Sequence, residues 1–139
     1  MKVELIVVGK TAEKWLREAV DQYIARLVHY TCFSMSTVDD LSRVKIEQSD
    51  YVVLLDERGA LFSSEAFAQW VEKIQNRSPR RLIFIIGGAF GFSQTLYDRA
   101  DEMISLSRMT FSHQMVRVIF LEQLYRAHTI LKGEKYHHA

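Results

Sequence analysis

Along the chain, short unbroken apolar runs alternate with stretches in which apolar residues recur every three or four positions. Runs of the first kind mark strands covered on both faces; the second kind marks helices with one buried side. Lys2 to Val8 reads as a buried strand stopped by Gly9. From Trp15, the apolar residues Leu16, Ala19, Val20, Tyr23, Ile24, Leu27 and Val28 keep helical spacing, with Thr11 as the cap and Glu13 in the first turn. Thr31 to Val38 predicts a weak strand, and Asp39 to Asp50 a polar loop with a short helix. Tyr51 to Leu55 is a buried strand ending in a turn at Asp56-Glu57-Arg58-Gly59. Ser63 opens a helix to about Asn76, striped by Phe67, Trp70, Val71 and Ile74 and broken at Ser78-Pro79. Leu82 to Ile86 is the most apolar strand, and Gly87-Gly88 ends it. Ser93 caps a short helix to about Ala100, and Met103 to Leu106 is a brief strand. Arg108 to His113 is an irregular loop, and Ser112 caps a long helix ending near Leu131, with Gly133 as its stop. The tail from Glu134 to Ala139 is a segment of the kind that is normally disordered.

Alternating strands and helices with continuous apolar strands predict an α/β fold, a mainly parallel sheet with helices on both faces. Residues 1–139 fit one domain. Ligands in such folds bind beyond the carboxyl ends of the strands. Three loops belong there, after Leu55, after Ile86 and after Leu106. In the last helix, only Arg117 is polar between Met115 and Leu121. A helix apolar on most sides is covered on most sides, by its own domain or by a second subunit.

Composition removes several classes. The chain is 48% hydrophobic and has no low-complexity stretch, which excludes disorder. Its longest apolar runs fall well short of the roughly 20 residues that a bilayer requires. The start, Met1-Lys2-Val3-Glu4, lacks the pattern of a signal peptide. Cys32 stands alone, so no intrachain disulfide forms, in keeping with a reducing cytoplasm. The net charge is +1, but residues 1–70 carry a balance of −3 and residues 71–139 one of +4. That bias is compatible with an anionic partner.

Val8-Gly9-Lys10-Thr11 resembles the end of a phosphate-binding loop, but Glu4 stands where the motif needs its first glycine. Gly87-Gly88-Ala89-Phe90-Gly91 is not a dinucleotide fingerprint, although its glycines let backbone groups approach a ligand. His113, His128, His137 and His138 have no Cys or carboxylate at ligand spacing, so no metal site is expected. No Ser/His/Asp arrangement supports hydrolysis. Tyr136-His137-His138 carries aromatic and hydrogen-bonding groups of the sort that engage a nucleic-acid base.

Taken together, several segments resemble the ribosomal large subunit methyltransferase H family, of the SPOUT class. They are Met1 to Lys10, Leu54 to Gly59, Ile85 to Gly88, Leu106 to Val118, Glu122 to Ala127 and Gly133 to His137. The Ser107-to-Ala127 stretch is the most specific. The resemblance implies a C-terminal trefoil knot, which physical reasoning would not have suggested. It also implies a homodimer that uses S-adenosylmethionine to methylate N3 of a pseudouridine in 23S ribosomal RNA on the assembled ribosome. Its cofactor positions fall on Leu55, Gly87, Leu106, Ser107, Arg108, Met109, Thr110 and Phe111. His137 or Glu122 is expected to assist loss of the acceptor proton, with Tyr136 and Arg126 fixing the base or a phosphate. Glu122 and Arg126, four apart, read equally as a structural ion pair. The chain departs from the family at Ala89, Phe90, Ser112 and His138, and is short between Asp39 and Asp50. Two other readings are a ribosome-binding module without catalysis and a related enzyme acting on transfer RNA.

Overall fold

All five predicted strands enter one parallel sheet, with the order β2-β1-β4-β3-β5. The structure is a computed structural model and describes residues 1–138. The strands are β1 (Lys2–Val8), β2 (Cys32–Val38), β3 (Asp50–Leu61), β4 (Arg81–Ile86) and β5 (Glu102–Ser105). The helices are α1 (Lys14–Leu27), α2 (Ser64–Arg77), α3 (Gln94–Arg99) and α4 (Met115–Leu131), with a short 3-10 turn at Leu41–Arg43. β4 lies at the centre, and Leu82, Ile83, Phe84 and Ile85 are fully buried. Such a strand reads as an unbroken apolar run because neither face meets water.

The two faces are unequal. On one, Val3, Leu5, Val7, Val53, Leu82 and Phe84 pack under α1, α2 and α4 through Val20, Leu27, Phe67, Ile74, Phe120 and Leu124. On the other, Ile6, Val52, Leu54, Ile83 and Ile85 meet Leu96 of α3 and a ring of partly buried residues, among them Leu41, Val44, Ile46, Phe92, Tyr97 and Met103. α4 packs against both α1 and α2, so it sits in the middle of the thicker layer. At the amino end of the sheet, the buried Asp50 accepts from Arg80 at 2.9 Å and from Arg81 at 3.0 Å. Burial opposes its charge, but these bonds outweigh it and hold the carboxyl down at about 2.

Three local expectations are corrected. β3 does not end at Leu55. It continues through the expected turn to Leu61, because a register shift between Leu55 and Ala60 lets it pair a second time with Ile104 and Ser105 of β5. Thr11 does not cap α1, which starts from Glu13 without a side-chain cap; the Thr11 hydroxyl instead accepts from Arg117 at 3.1 Å. The tail is ordered as far as it is described. Gly133, at φ 68°, allows the Gly133 and Glu134 N–H groups to bond the Ile130 and Thr129 carbonyls, reversing the chain. Tyr30 then donates to Glu134 at 2.9 Å, and the tail folds back on α4. Ala139 lies outside the described residues.

Candidate active site

A cleft of about 560 Å³ opens at the carboxyl ends of β3, β4 and β5. Parallel strands end there together, and their following loops supply its walls. Of the eight positions expected to hold a cofactor, seven line it: Leu55, Gly87, Leu106, Ser107, Met109, Thr110 and Phe111. Arg108 is exposed and is not part of the lining. His113, expected as a loop or cap residue, lies in the loop and also lines the cleft.

Short side-chain bonds shape these loops. Ser105 donates to the Ser107 carbonyl at 2.8 Å, and Ser107 accepts from the Met109 N–H at 2.9 Å. Thr110 donates to Glu57 at 3.0 Å, tying the loop after β5 to the continuation of β3. Ser112 accepts from the Met115 N–H at 3.1 Å just ahead of α4, although the N-cap position itself falls to Gln114, which makes no side-chain cap. At Gly87 a Cβ would stand 3.1 Å from the Gly91 carbonyl oxygen, so a side chain there would push on the Gly88–Gly91 turn.

Sequence reasoning missed a polar group on the same wall. Tyr97, from α3, donates to Asp56 at 2.6 Å, and Arg58 bonds both residues. Burial pushes the Asp56 carboxyl up, but the bonds from Tyr97 and Arg58 outweigh it and hold it below the usual range, so the wall carries a negative charge. The same bond to Asp56 raises the Tyr97 hydroxyl. Asp56 and Arg58 looked like turn residues, and nothing in the sequence joins Tyr97 to them.

Arg117 was missed as well. Its side chain is fully buried, and it donates to the carbonyls of Val8 at 2.7 Å, Gly9 at 2.9 Å and His113 at 3.1 Å, and to the Thr11 hydroxyl. Gln114 adds bonds to Ala12 N–H at 2.9 Å and to the Lys10 carbonyl at 3.1 Å. Together they fasten the start of α4 to the loop after β1. The signal was a lone cation within an apolar helical run.

The four expected catalytic residues come together, but not in the cleft lining. Arg126 donates to Glu122 at 3.0 Å, Tyr136 donates to Glu122 at 3.1 Å, and the Arg126 guanidinium lies 4.9 Å from the centre of the Tyr136 ring. Arg126 Nη1 is 3.0 Å from His137 Nδ1, and His137 Nε2 is 2.8 Å from Glu65 Oε1. Arginine can only donate, so His137 Nδ1 accepts and Nε2 carries the proton given to Glu65. That bond holds the Glu65 carboxyl below its usual range. Burial raises the Tyr136 hydroxyl, as do hydrogen bonds with Tyr23 and Glu122. The ion-pair reading of Glu122 and Arg126 is therefore satisfied, within a larger network. Among the described residues, no cluster of His, Cys, Asp or Glu is arranged to hold a metal ion, and no helix is long and apolar enough to cross a membrane.

Comparison with known proteins gives this geometry a family. Residues 1–137 match the family described as "Predicted SPOUT methyltransferase". Proteins named ribosomal RNA large subunit methyltransferase H are 47% identical in Christiangramia forsetii and 46% identical in Parabacteroides distasonis, each over 99% of both chains. The one from Porphyromonas gingivalis is 44% identical over the same shares. In fold, the chain is similar to a probable methylase family protein from Haemophilus influenzae Rd KW20, with a TM-score of 0.60 at 11% identity, over 94% of this chain and 66% of that one. The α/β fold, the cleft at the strand ends and full-length similarity at this level lead to one conclusion: the chain belongs to the SPOUT methyltransferase family, together with the ribosomal RNA large subunit methyltransferases H.

Proposed function

We propose that this protein is an S-adenosylmethionine-dependent methyltransferase that methylates N3 of a pseudouridine in 23S ribosomal RNA on the assembled ribosome, as a homodimer in the cytoplasm. The observation that carries the reading is the convergence of three segments distant in sequence, around 55, 87 and 105–111, on one cleft. The residues there suit the methyl donor. The volume of about 560 Å³ is in the range of small-molecule sites. Leu55, Leu106 and Phe111 offer apolar walls to an adenine, and the bare Gly87 backbone offers hydrogen bonds to its edge. Asp56 and Glu57 on the wall favour a sulfonium cation.

When bound, that group supplies an electrophilic methyl carbon, whose bond to sulfur breaks as the bond to N3 forms. The chain's part is to hold the reacting atoms in line and to receive the proton that N3 gives up. His137 or Glu122 receives it, directly or through water, while Tyr136 and Arg126 orient the base or a phosphate. His137 Nδ1 is held by Arg126, so it accepts a proton only after exchanging that partner for the substrate.

Val116 lines the cleft, whereas Arg126 stands ten residues further along α4, about 15 Å away at the helical rise. Met115 is exposed, and Ile119 is half-buried and joins neither core cluster. A second copy packed on this stretch of α4 covers both residues and brings the tail of one chain towards the cleft of the other. The same reading places a trefoil knot in the C-terminal part. The return of the segment after β5 to the ends of β3 and β4 supports it.

Calorimetry with S-adenosylmethionine, followed by methyl transfer onto whole ribosomes, isolated subunits and transfer RNA, tests the reading. Micromolar binding and transfer to whole ribosomes are expected. Absence of binding would favour a ribosome-binding module, and transfer to transfer RNA alone would favour the related enzyme.

A further inference from the structure

The rim of the cleft carries two side chains that its own packing does not explain. Gly88 and Gly91 bridge across a tight turn, with the Gly91 N–H donating to the Gly88 carbonyl at 3.0 Å. This turn lifts Phe90 clear of the protein, and its ring is fully exposed, while Ala89 and Gly91 on either side line the cleft. A large apolar ring left wholly in water on a hydrogen-bonded turn forgoes about 2 kcal/mol of burial. The second side chain is Arg58, on the continuation of β3. It is 66% exposed, yet it is held in place by Asp56 at 3.3 Å, by the Tyr97 hydroxyl, and by the Tyr97 ring, whose centre lies 5.0 Å from the guanidinium. The Arg58 Nη1 has no hydrogen-bond partner among the described residues.

A bare aromatic face and a pre-oriented planar cation at the mouth of one cleft match the two parts of a nucleotide, its base and its phosphate. A lone ring is far too small for a subunit interface, which needs several hundred Å² from each partner. We propose that Phe90 and Arg58 take up the acceptor nucleotide at the mouth of the cleft, Phe90 stacking on a base and Arg58 pairing with a phosphate oxygen. This deepens the reading above, on which it rests, by naming the residues that receive the acceptor.

The test uses the full-length protein, labelled S-adenosylmethionine, and ribosomes from cells lacking the gene for this protein. Phe90→Ala is expected to raise KM for ribosomes about 10-fold with kcat unchanged, and Phe90→Tyr to restore it. Arg58→Gln is expected to raise KM and to weaken its dependence on salt. Affinity for S-adenosylmethionine, measured by calorimetry, is expected to stay as in the wild type for Phe90→Ala and Phe90→Tyr. Unchanged KM in both Phe90→Ala and Arg58→Gln would overturn the inference. So would loss of donor binding, or a change of oligomeric state on Phe90→Ala, since either gives the ring another task. If the wild type binds the donor but transfers no methyl group, the substrate reading above fails instead. Co-sedimentation with the same ribosomes then decides this inference separately. Weaker binding by Phe90→Ala supports it, and equal binding overturns it.

Discussion

Single side chains set the pH limits of this protein. His128 lies on the buried side of α4, 5% exposed, stacked on Tyr30 with ring centres 5.8 Å apart, and its Nε2 has no partner among the described residues. Burial, with a smaller push from Lys132, lowers it from 6.5 to about 4. It is therefore neutral in the folded state near pH 7, whereas in the unfolded chain it takes up a proton below about 6.5. The stability linked to this group is fully present above pH 6.5 and is lost as the pH falls towards 4. That loss is on the order of 3 kcal/mol. Urea unfolding of His128→Phe at pH 7 and at pH 4.5 checks this. The variant is expected to lose less stability between the two than the wild type, and an equal loss would assign the pH dependence elsewhere. The sequence showed only a His within a helix; its burial against Tyr30 comes from the packing of the fold.

At the scale of elements, α4 joins the cleft to the rest of the fold. Arg117 spans from its first turn to three carbonyls and a hydroxyl, with no carboxylate among its hydrogen-bond partners. Burial lowers its guanidinium somewhat, but carbonyl dipoles can hold such a charge when each N–H is satisfied. Removing it leaves half-buried acceptors at the end of β1 and in the β1–α1 loop unpaired. Arg117→Met is expected to cost about 2–4 kcal/mol in urea unfolding and to weaken donor binding, because the loop after β1 packs beside Gly88 through Val8. Arg117→Lys is expected to recover only part of the stability, since one ammonium group does not reach all four acceptors. Unaltered unfolding in Arg117→Met would show the fastening to be dispensable. The elements themselves were mostly legible, because β4 is an unbroken apolar run and α2 keeps a clear helical stripe. The β3 extension was not, since Asp56-Glu57-Arg58-Gly59 has the composition of a turn, and the pairing of Ala60 and Leu61 beyond it exists only because β5 lies alongside.

The whole molecule separates the cleft from the cluster formed by Glu122, Arg126, Tyr136 and His137. Sedimentation of the full-length protein is expected to show two copies, and Ile119→Glu to shift it towards one copy without loss of secondary structure. A wild type that sediments as a single copy would leave the two clusters apart and end the dimer reading. Within such a dimer, His137→Ala and Glu122→Ala are expected to lower the rate of methyl transfer while donor affinity stays intact. If both kept near-full rates, the proposed roles of the tail would be wrong.

By itself, the order of apolar and polar residues determined that this chain makes a parallel sheet with helices on both faces, since burial on two sides demands unbroken apolar strands. It also marked the loops after Leu55, Ile86 and Leu106 as the end where a ligand enters. What only the tertiary structure decided was which polar groups meet. Tyr97 on Asp56, Arg117 under the loop after β1, and His137 between Arg126 and Glu65 are pairings across long stretches of chain. No periodicity encodes them, because hydrogen bonds depend on distances of a few ångströms that exist only once the sheet and helices have packed.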